Sequence, residues 1–179
     1  MEDKLSVDES LEARSRDVLA TLCHRKARSA FGLAGYLLGD RAEAEDAVQD
    51  AVERVVRAWP QLKDEAKFDG WFDRILVNVC RDRARHRPQI RAYTEVDSPS
   101  EDPFRTILER DVLGRAIASL PIDQRVVVVL RFWRDMSLEQ IADLLDLPIG
   151  TVKSRLHYSL ESLRGKLTLD DLQEVWYGG

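Results

Sequence analysis

Cysteine, histidine and methionine are scarce in this chain, with two, three and two copies in 179 residues. Cys23 and Cys80 lack the paired spacing of a zinc site and fall inside apolar helical patterns, so the spacing predicts small buried thiols rather than ligands. His24, His86 and His157 are scattered and form no HExxH or similar arrangement, and neither a metal nor a cofactor is expected. There is no apolar run long enough to cross a bilayer, and the acidic start at Glu2 and Asp3 is no signal peptide. A cytoplasmic protein without membrane insertion is expected. Also missing are a P-loop, a GxSxG elbow and paired carboxylates outside one helix, which argues against an enzyme. An enzyme working on nucleic acid through Cys23, His24 and an arginine cluster has the least support.

What is present is a chain of ordinary soluble composition, 44% hydrophobic and 33% charged, long enough for one or two domains with a modest core. Its net charge of -5 sits awkwardly with nucleic-acid binding, but the distribution says more than the sum. Arg81, Arg83, Arg85, Arg87 and Arg91 form a basic cluster, whereas residues 92–104 hold Glu95, Asp97, Glu101 and Asp102 with no Lys or Arg. A second acidic set, Glu43, Glu45, Asp46, Asp50 and Glu53, lies on one helical pattern. Such polarisation predicts separate surfaces for an acidic and a basic partner.

Hydrophobic periodicity divides the chain into two helical blocks. Residues 1–11 are polar and expected to be disordered. A helix is expected from about Glu12 to Leu38, closed by Gly39 as a C-cap glycine, and Asp40 with Glu43 forms a capping box for the next helix. That helix carries one continuous apolar stripe, Ala44, Ala47, Val48, Ala51, Val52, Val55, Val56 and Trp59, and Pro60 ends it. After a polar loop over residues 61–67, Phe68, Trp71, Phe72, Ile75, Leu76, Val79 and Cys80 recur at helical spacing and complete a three-helix block. Pro99 and Pro103 among serines and acids mark a linker, and a second block follows from about Arg105.

Within that second block, residues 137–167 spell two short helices and a tight turn. Ser137 and Gln140 form a capping box, and Ile141, Leu144 and Leu145 give the first helix an apolar face. After the turn at Asp146, Leu147 and Pro148, a second helix places Val152, Leu156, Leu160, Leu163 and Leu167 on its inner side. Thr151, Lys153, Ser154, Arg155, His157 and Tyr158 lie on the opposite side, as in a helix-turn-helix that offers donors to the major groove. A free-standing helix-turn-helix regulator, binding duplex operator DNA as a dimer, would carry the same signature.

Taken together, GDRAEAEDAVQD, FDGWFDRILVNVCRDRAR, LPIDQRVVVVLRFW and SLEQIADLLDLPIGTVKSRL resemble the group IV, or extracytoplasmic-function, sigma factors of bacterial RNA polymerase in order and spacing, over roughly residues 15–167. The resemblance implies an all-α fold of two helical domains, a sigma-2 three-helix block over 12–90 and a sigma-4 helix-turn-helix over 106–168. An extended acidic linker over 91–105 joins them, and a C-terminal tail follows over 169–179. The implied function is that of an alternative sigma factor, which binds core RNA polymerase, directs it to promoters and helps melt the minus-ten region. The implied partners are core polymerase through its beta-prime clamp helices and beta subunit, promoter DNA and an anti-sigma factor, the free chain being monomeric or 1:1 with the last.

The resemblance also assigns roles by position. Glu45, Asp46, Gln49, Asp50 and Glu53 match the face that docks on the clamp helices, where carboxylates at neighbouring helical positions pair with arginines. Leu62, Lys63, Asp64, Glu65 and Ala66 match a loop that receives a base flipped from the minus-ten element. Asn78 matches a base-reading position, with Arg74 and Arg81 one turn to either side for phosphates. Thr151, Lys153, Ser154, Arg155, His157 and Tyr158 match the positions that meet the minus-thirty-five element. Tyr158 and Leu160 stand where the family often has arginine, which implies fewer phosphate contacts and weaker binding by this domain alone.

Overall fold

A computed structural model of the chain describes residues 2–86 and 112–166, with side chains over 17–86 and 113–166. The expected linker over 91–105 and tail over 169–179 lie outside the described residues. Every regular element among the described residues is helical.

The first helix, α1, spans Glu2–Leu38 and so begins ahead of the expected start near Glu12. No glycine or proline occurs before Gly32, so backbone chemistry gives no stop signal there. Side chains before Asp17, which include those of the stretch expected to be disordered, are outside the described residues. Gly39 ends the helix with φ of 68° and donates its amide to the Gly35 carbonyl at 2.8 Å, a left-handed turn that costs a glycine little. Asp40 then accepts from the Glu43 amide at 3.0 Å and starts α2, Arg41–Ala58.

Small side chains bring α2 close to its neighbours, since Ala44, Ala47 and Ala51 are all fully buried beside Val55. Two short 3-10 turns, Trp59–Gln61 and Glu65–Lys67, lead into α3, Phe68–His86. Phe68, Phe72, Leu76 and Val77 are fully buried on the inner face of α3, each stabilising the block by about 1.5–3 kcal/mol relative to exposure. The rings of Trp59, Trp71 and Phe72 surround Phe68 at centroid distances of 5.7–6.2 Å.

The second block contains α4, Val112–Ala118, α5, Ile122–Phe132, α6, Leu138–Leu145, and α7, Ile149–Arg164. Five consecutive residues of α5, Val126 to Leu130, are buried, so this helix is covered on all sides by its neighbours. The reason lies outside its own block. One apolar cluster runs without a break from Leu19, Leu33 and Phe72 of the first block to Val127, Leu130 and Ile141 of the second. The two blocks are packed on each other as well as joined by the chain.

Candidate functional site

Five arginines, Arg74, Arg81, Arg85, Arg125 and Arg134, hold the blocks together, and two of them, Arg74 and Arg81, are residues expected to face DNA. Arg74 on α3 donates to the carbonyls of Asp143 and, at 3.0 Å, Leu144. These carbonyls lie in the last turn of α6, where no amide remains to satisfy them, so a guanidinium from the other block acts as a C-terminal cap. Arg81, one turn beyond Asn78, meets Asp123 in the first turn of α5 at 2.8 Å. Arg125 donates to the Leu37 carbonyl at the end of α1, and also to the carbonyls of Ala118 and Leu120. Burial pushes its guanidinium down to about 10, which leaves it protonated at neutral pH among those oxygens. Arg134, after α5, reaches Asp73 on α3 at 2.9 Å and lies over the ring of Trp133, itself 5.1 Å from Tyr36 of α1.

Asp73 is the most enclosed of these acids. It accepts from Lys26 of α1 at 2.9 Å and from Arg134 at 2.9 Å, and both Lys26 and Asp73 are buried. Neither residue was singled out in the sequence, although an acid between Phe72 and Leu76 on an apolar stripe is itself a signal that a cation must lie opposite.

The expected basic surface is corrected by the same geometry. At about 100° per residue, Arg81 and Arg85 lie some 40° apart on α3, whereas Arg83 points nearly the opposite way. Arg81 and Arg85 turn to Asp123, while Arg83 turns to α2 and engages Asp50 at 2.7 Å and Glu43 at 3.1 Å. The hydrogen bond to Asp50 holds the Arg83 guanidinium above its ordinary range. Arg87 and Arg91 lie outside the described residues. The alternating arginines therefore serve two faces, one inside the first block and one between blocks.

The acidic side of α2 is divided in the same way. Glu45, Asp46, Gln49 and Glu53 are exposed, and Asp50 is half-buried under Arg83. Glu45 pairs with Arg41 and Glu53 with Arg57, each at 3.0 Å and one helical turn apart. Such exposed pairs are worth well under 1 kcal/mol and yield readily to a better partner. Between α2 and α3, Lys63, Asp64, Glu65 and Ala66 are exposed, and the Asp64 side chain accepts from the Ala66 amide at 3.0 Å. Leu62 differs from its four neighbours, because it is half-buried against the apolar cluster. Asn78 is exposed between Arg74 and Arg81.

The helix-turn-helix is assembled from α6 and α7. Ser137 accepts from the Gln140 amide at 3.2 Å, and the Gln140 side chain accepts from the Ser137 amide at 2.8 Å, which realises the capping box. Asp146 takes up the left-handed conformation at φ of 54°, and the chain turns into α7. Val152 and Leu163 are buried, and Ser159, at a position where the inner stripe is broken, satisfies its hydroxyl on the Arg155 carbonyl at 2.6 Å. On the outer face Lys153, Ser154, His157 and Tyr158 are exposed, with the His157 and Tyr158 rings 5.5 Å apart, and Thr151 is half-buried. Arg155 is the exception: it lies half-buried with its guanidinium 3.8 Å from Asp123. Its second terminal nitrogen is buried without a hydrogen-bond partner.

Both cysteines behave as small apolar residues. Cys80 is fully buried, and burial pushes its thiol up to about 12; Cys23 is raised for the same reason. Among the described residues there is no cluster of metal-ligating side chains and no helix long and apolar enough to cross a membrane.

Two family models match the chain, Sigma-70 region 2 over residues 22–88 and Sigma-70 region 4 over residues 110–163. The RNA polymerase sigma-E factor of Streptomyces coelicolor is 34% identical over 138 residues, covering 76% of this chain and 78% of that protein. The ECF RNA polymerase sigma factor SigL of Mycobacterium tuberculosis is 35% identical over 146 residues, covering 76% and 80%. A solved structure of the sigma factor RpoE in complex with the anti-sigma factor NepR, from Bartonella quintana, shares the fold. It has a TM-score of 0.56 at 22% identity and covers 90% of this chain and 99% of that one.

Proposed function

Because the chain belongs to the extracytoplasmic-function sigma factors of the sigma-70 family and serves transcription initiation as an alternative sigma factor, we propose a division of that work among three helical surfaces. The acidic side of α2 holds core RNA polymerase. Glu45, Asp46, Gln49 and Glu53 are presented outward, and Glu45 and Glu53 are held only by exposed pairs, so arginines of the clamp helices displace Arg41 and Arg57 at little cost. Arg83 fixes Asp50 from behind and so keeps the register of the patch.

The minus-ten element falls to α3 and the loop before it. Asn78 carries both donor and acceptor groups for an unpaired base edge, and Arg74 and Arg81, on exchanging the α6 carbonyls and Asp123 for DNA, neutralise the flanking phosphates. Lys63, Asp64, Glu65 and Ala66 border the flipped base, while Leu62 forms its apolar floor. The minus-thirty-five element is read by Lys153, Ser154, Arg155, His157 and Tyr158, with Thr151 at the backbone. A Cβ on Gly150 would meet nothing of the protein within 4 Å, so the packing of α7 itself does not call for glycine there. The acidic linker over 91–105 joins the readers and raises the effective concentration of the second once the first has bound.

The observation that carries this reading is the order of three dissimilar surfaces, acidic, mixed and donor-rich, along segments matched by region 2 and region 4 models. A free-standing helix-turn-helix regulator is not favoured, since it has no need of the region 2 block. The protein works beside polymerase in the cytoplasm; the Bartonella protein is in complex with an anti-sigma factor, and a protein of that kind holds this chain inactive. Run-off transcription with core enzyme on randomised promoters is the test. Asp46→Arg should abolish the product while the circular dichroism spectrum stays unchanged, and full transcription by that folded variant would overturn the docking face.

A further inference from the structure

Two positions of α7 where the family often has arginine are apolar in this chain, and only one of them faces outward. Leu160 is half-buried, whereas Tyr158 leaves a large ring 59% exposed in the middle of the helix, one turn beyond Ser154. The ring is held from one side. His157 meets it at a centroid distance of 5.5 Å with the planes at 60°, and the His157 Nε2 lies 3.7 Å from a Glu161 oxygen one turn further on. The next residue, Ser159, is fully buried with its hydroxyl on the Arg155 carbonyl, which seats this turn of α7 on the core and leaves Tyr158 pointing away from it.

An arginine at this place would offer two parallel N–H donors to the O6 and N7 of a guanine. A phenol has a single hydroxyl at the end of an apolar ring, so it cannot make that pair. The major groove shows one apolar group against many donors and acceptors, the C5 methyl of thymine. We propose that Tyr158 reads a thymine methyl in the minus-thirty-five element, so that this chain selects T at a position where an arginine would select G. The inference rests on the reading of α7 as the minus-thirty-five helix. What the ring recognises is the methyl and not the base as a whole, so a 5-methylcytosine satisfies it and a uracil does not. Lys153, Ser154 and His157 supply the polar contacts on either side, and the His157 ring keeps that of Tyr158 in place before DNA arrives.

The test changes single atoms of the DNA. Holoenzyme made from core polymerase and the full chain is titrated onto a labelled promoter from the run-off selection, and each thymine of the minus-thirty-five element is replaced in turn by uracil, which deletes only the methyl. At one position uracil should weaken binding about fourfold, the worth of one apolar carbon withdrawn from water. With cytosine at that position, 5-methylation should strengthen binding by a similar factor. Tyr158→Ala should bind thymine and uracil equally, and Tyr158→Phe should keep the fourfold difference, with circular dichroism confirming that both variants fold. A selected element without thymine, a parent indifferent to uracil at every thymine, or a uracil penalty that persists in Tyr158→Ala would overturn the methyl contact. So would loss of the penalty in Tyr158→Phe, which would mean that the hydroxyl meets the DNA in place of the ring. If Lys153→Ala and His157→Ala also leave the upstream-element preference unchanged, the assignment of α7 to that element fails. A preference altered by those two variants beside an indifferent Tyr158 removes the methyl contact alone.

Discussion

At the scale of single residues, the enclosed carboxylate of Asp73 decides more than its neighbours do. Lys26 and Arg134 both depend on it, whereas it depends on neither alone. Asp73→Ala would leave two cations facing each other, one of them fully enclosed, and should lower unfolding free energy by about 3–5 kcal/mol, as expected for breaking a buried pair from one side. Lys26→Met keeps the Arg134 pair and adds apolar packing, so its cost should stay below about 1.5 kcal/mol. Urea denaturation of the two variants measures the difference, and equal losses would mean that the triad does not act as a shared acid. The sequence allowed half of this to be seen: an acid on an apolar stripe demands a partner. Which cations answer it depends on how α1 and the segment after α5 come together, and no periodicity encodes that.

Individual elements were the most legible level, because caps and stripes act over three or four residues. Gly39 and the Ser137–Gln140 box occupy the roles their chemistry suggested, and Asp40 supplies the first half of its expected box by capping the Glu43 amide, while the Glu43 carboxylate meets Arg83. Less legible was the alternating run Arg81, Arg83, Arg85, since a cluster in sequence becomes two faces on a helix, and each found acids already present on other elements. The Ser137 cap gives the clearest test at this scale. Ser137→Ala removes an acceptor from the first turn of α6 and should cost about 1 kcal/mol in unfolding free energy. Because α6 supports α7 without supplying its outer donors, affinity for minus-thirty-five duplex should fall while base preference is retained. A changed preference in a binding-site selection would show that the cap also sets how the reading helix is aimed.

For the whole molecule, the sequence supports two tethered blocks, and nothing in a linker's composition foretells whether the blocks at its ends touch. They touch through Tyr36 and Trp133, through arginines that reach carbonyls and acids across the boundary, and through one uninterrupted apolar cluster. Contact of this kind couples stability as well as position, because the smaller second block buries α5 against the first and loses that cover when the two part. A single calorimetric transition is therefore expected for the parent chain, with calorimetric and van't Hoff enthalpies equal. Tyr36→Ala combined with Arg134→Ala removes the ring contact and one ion pair while leaving Lys26 and Asp73 together, so each block keeps its own charge balance. That double variant should unfold in two steps, the second block first. Two transitions in the parent would mean that the boundary carries too little energy to couple the blocks, and one persisting in the double variant would mean that the shared apolar cluster couples them without the ring contact and the ion pair.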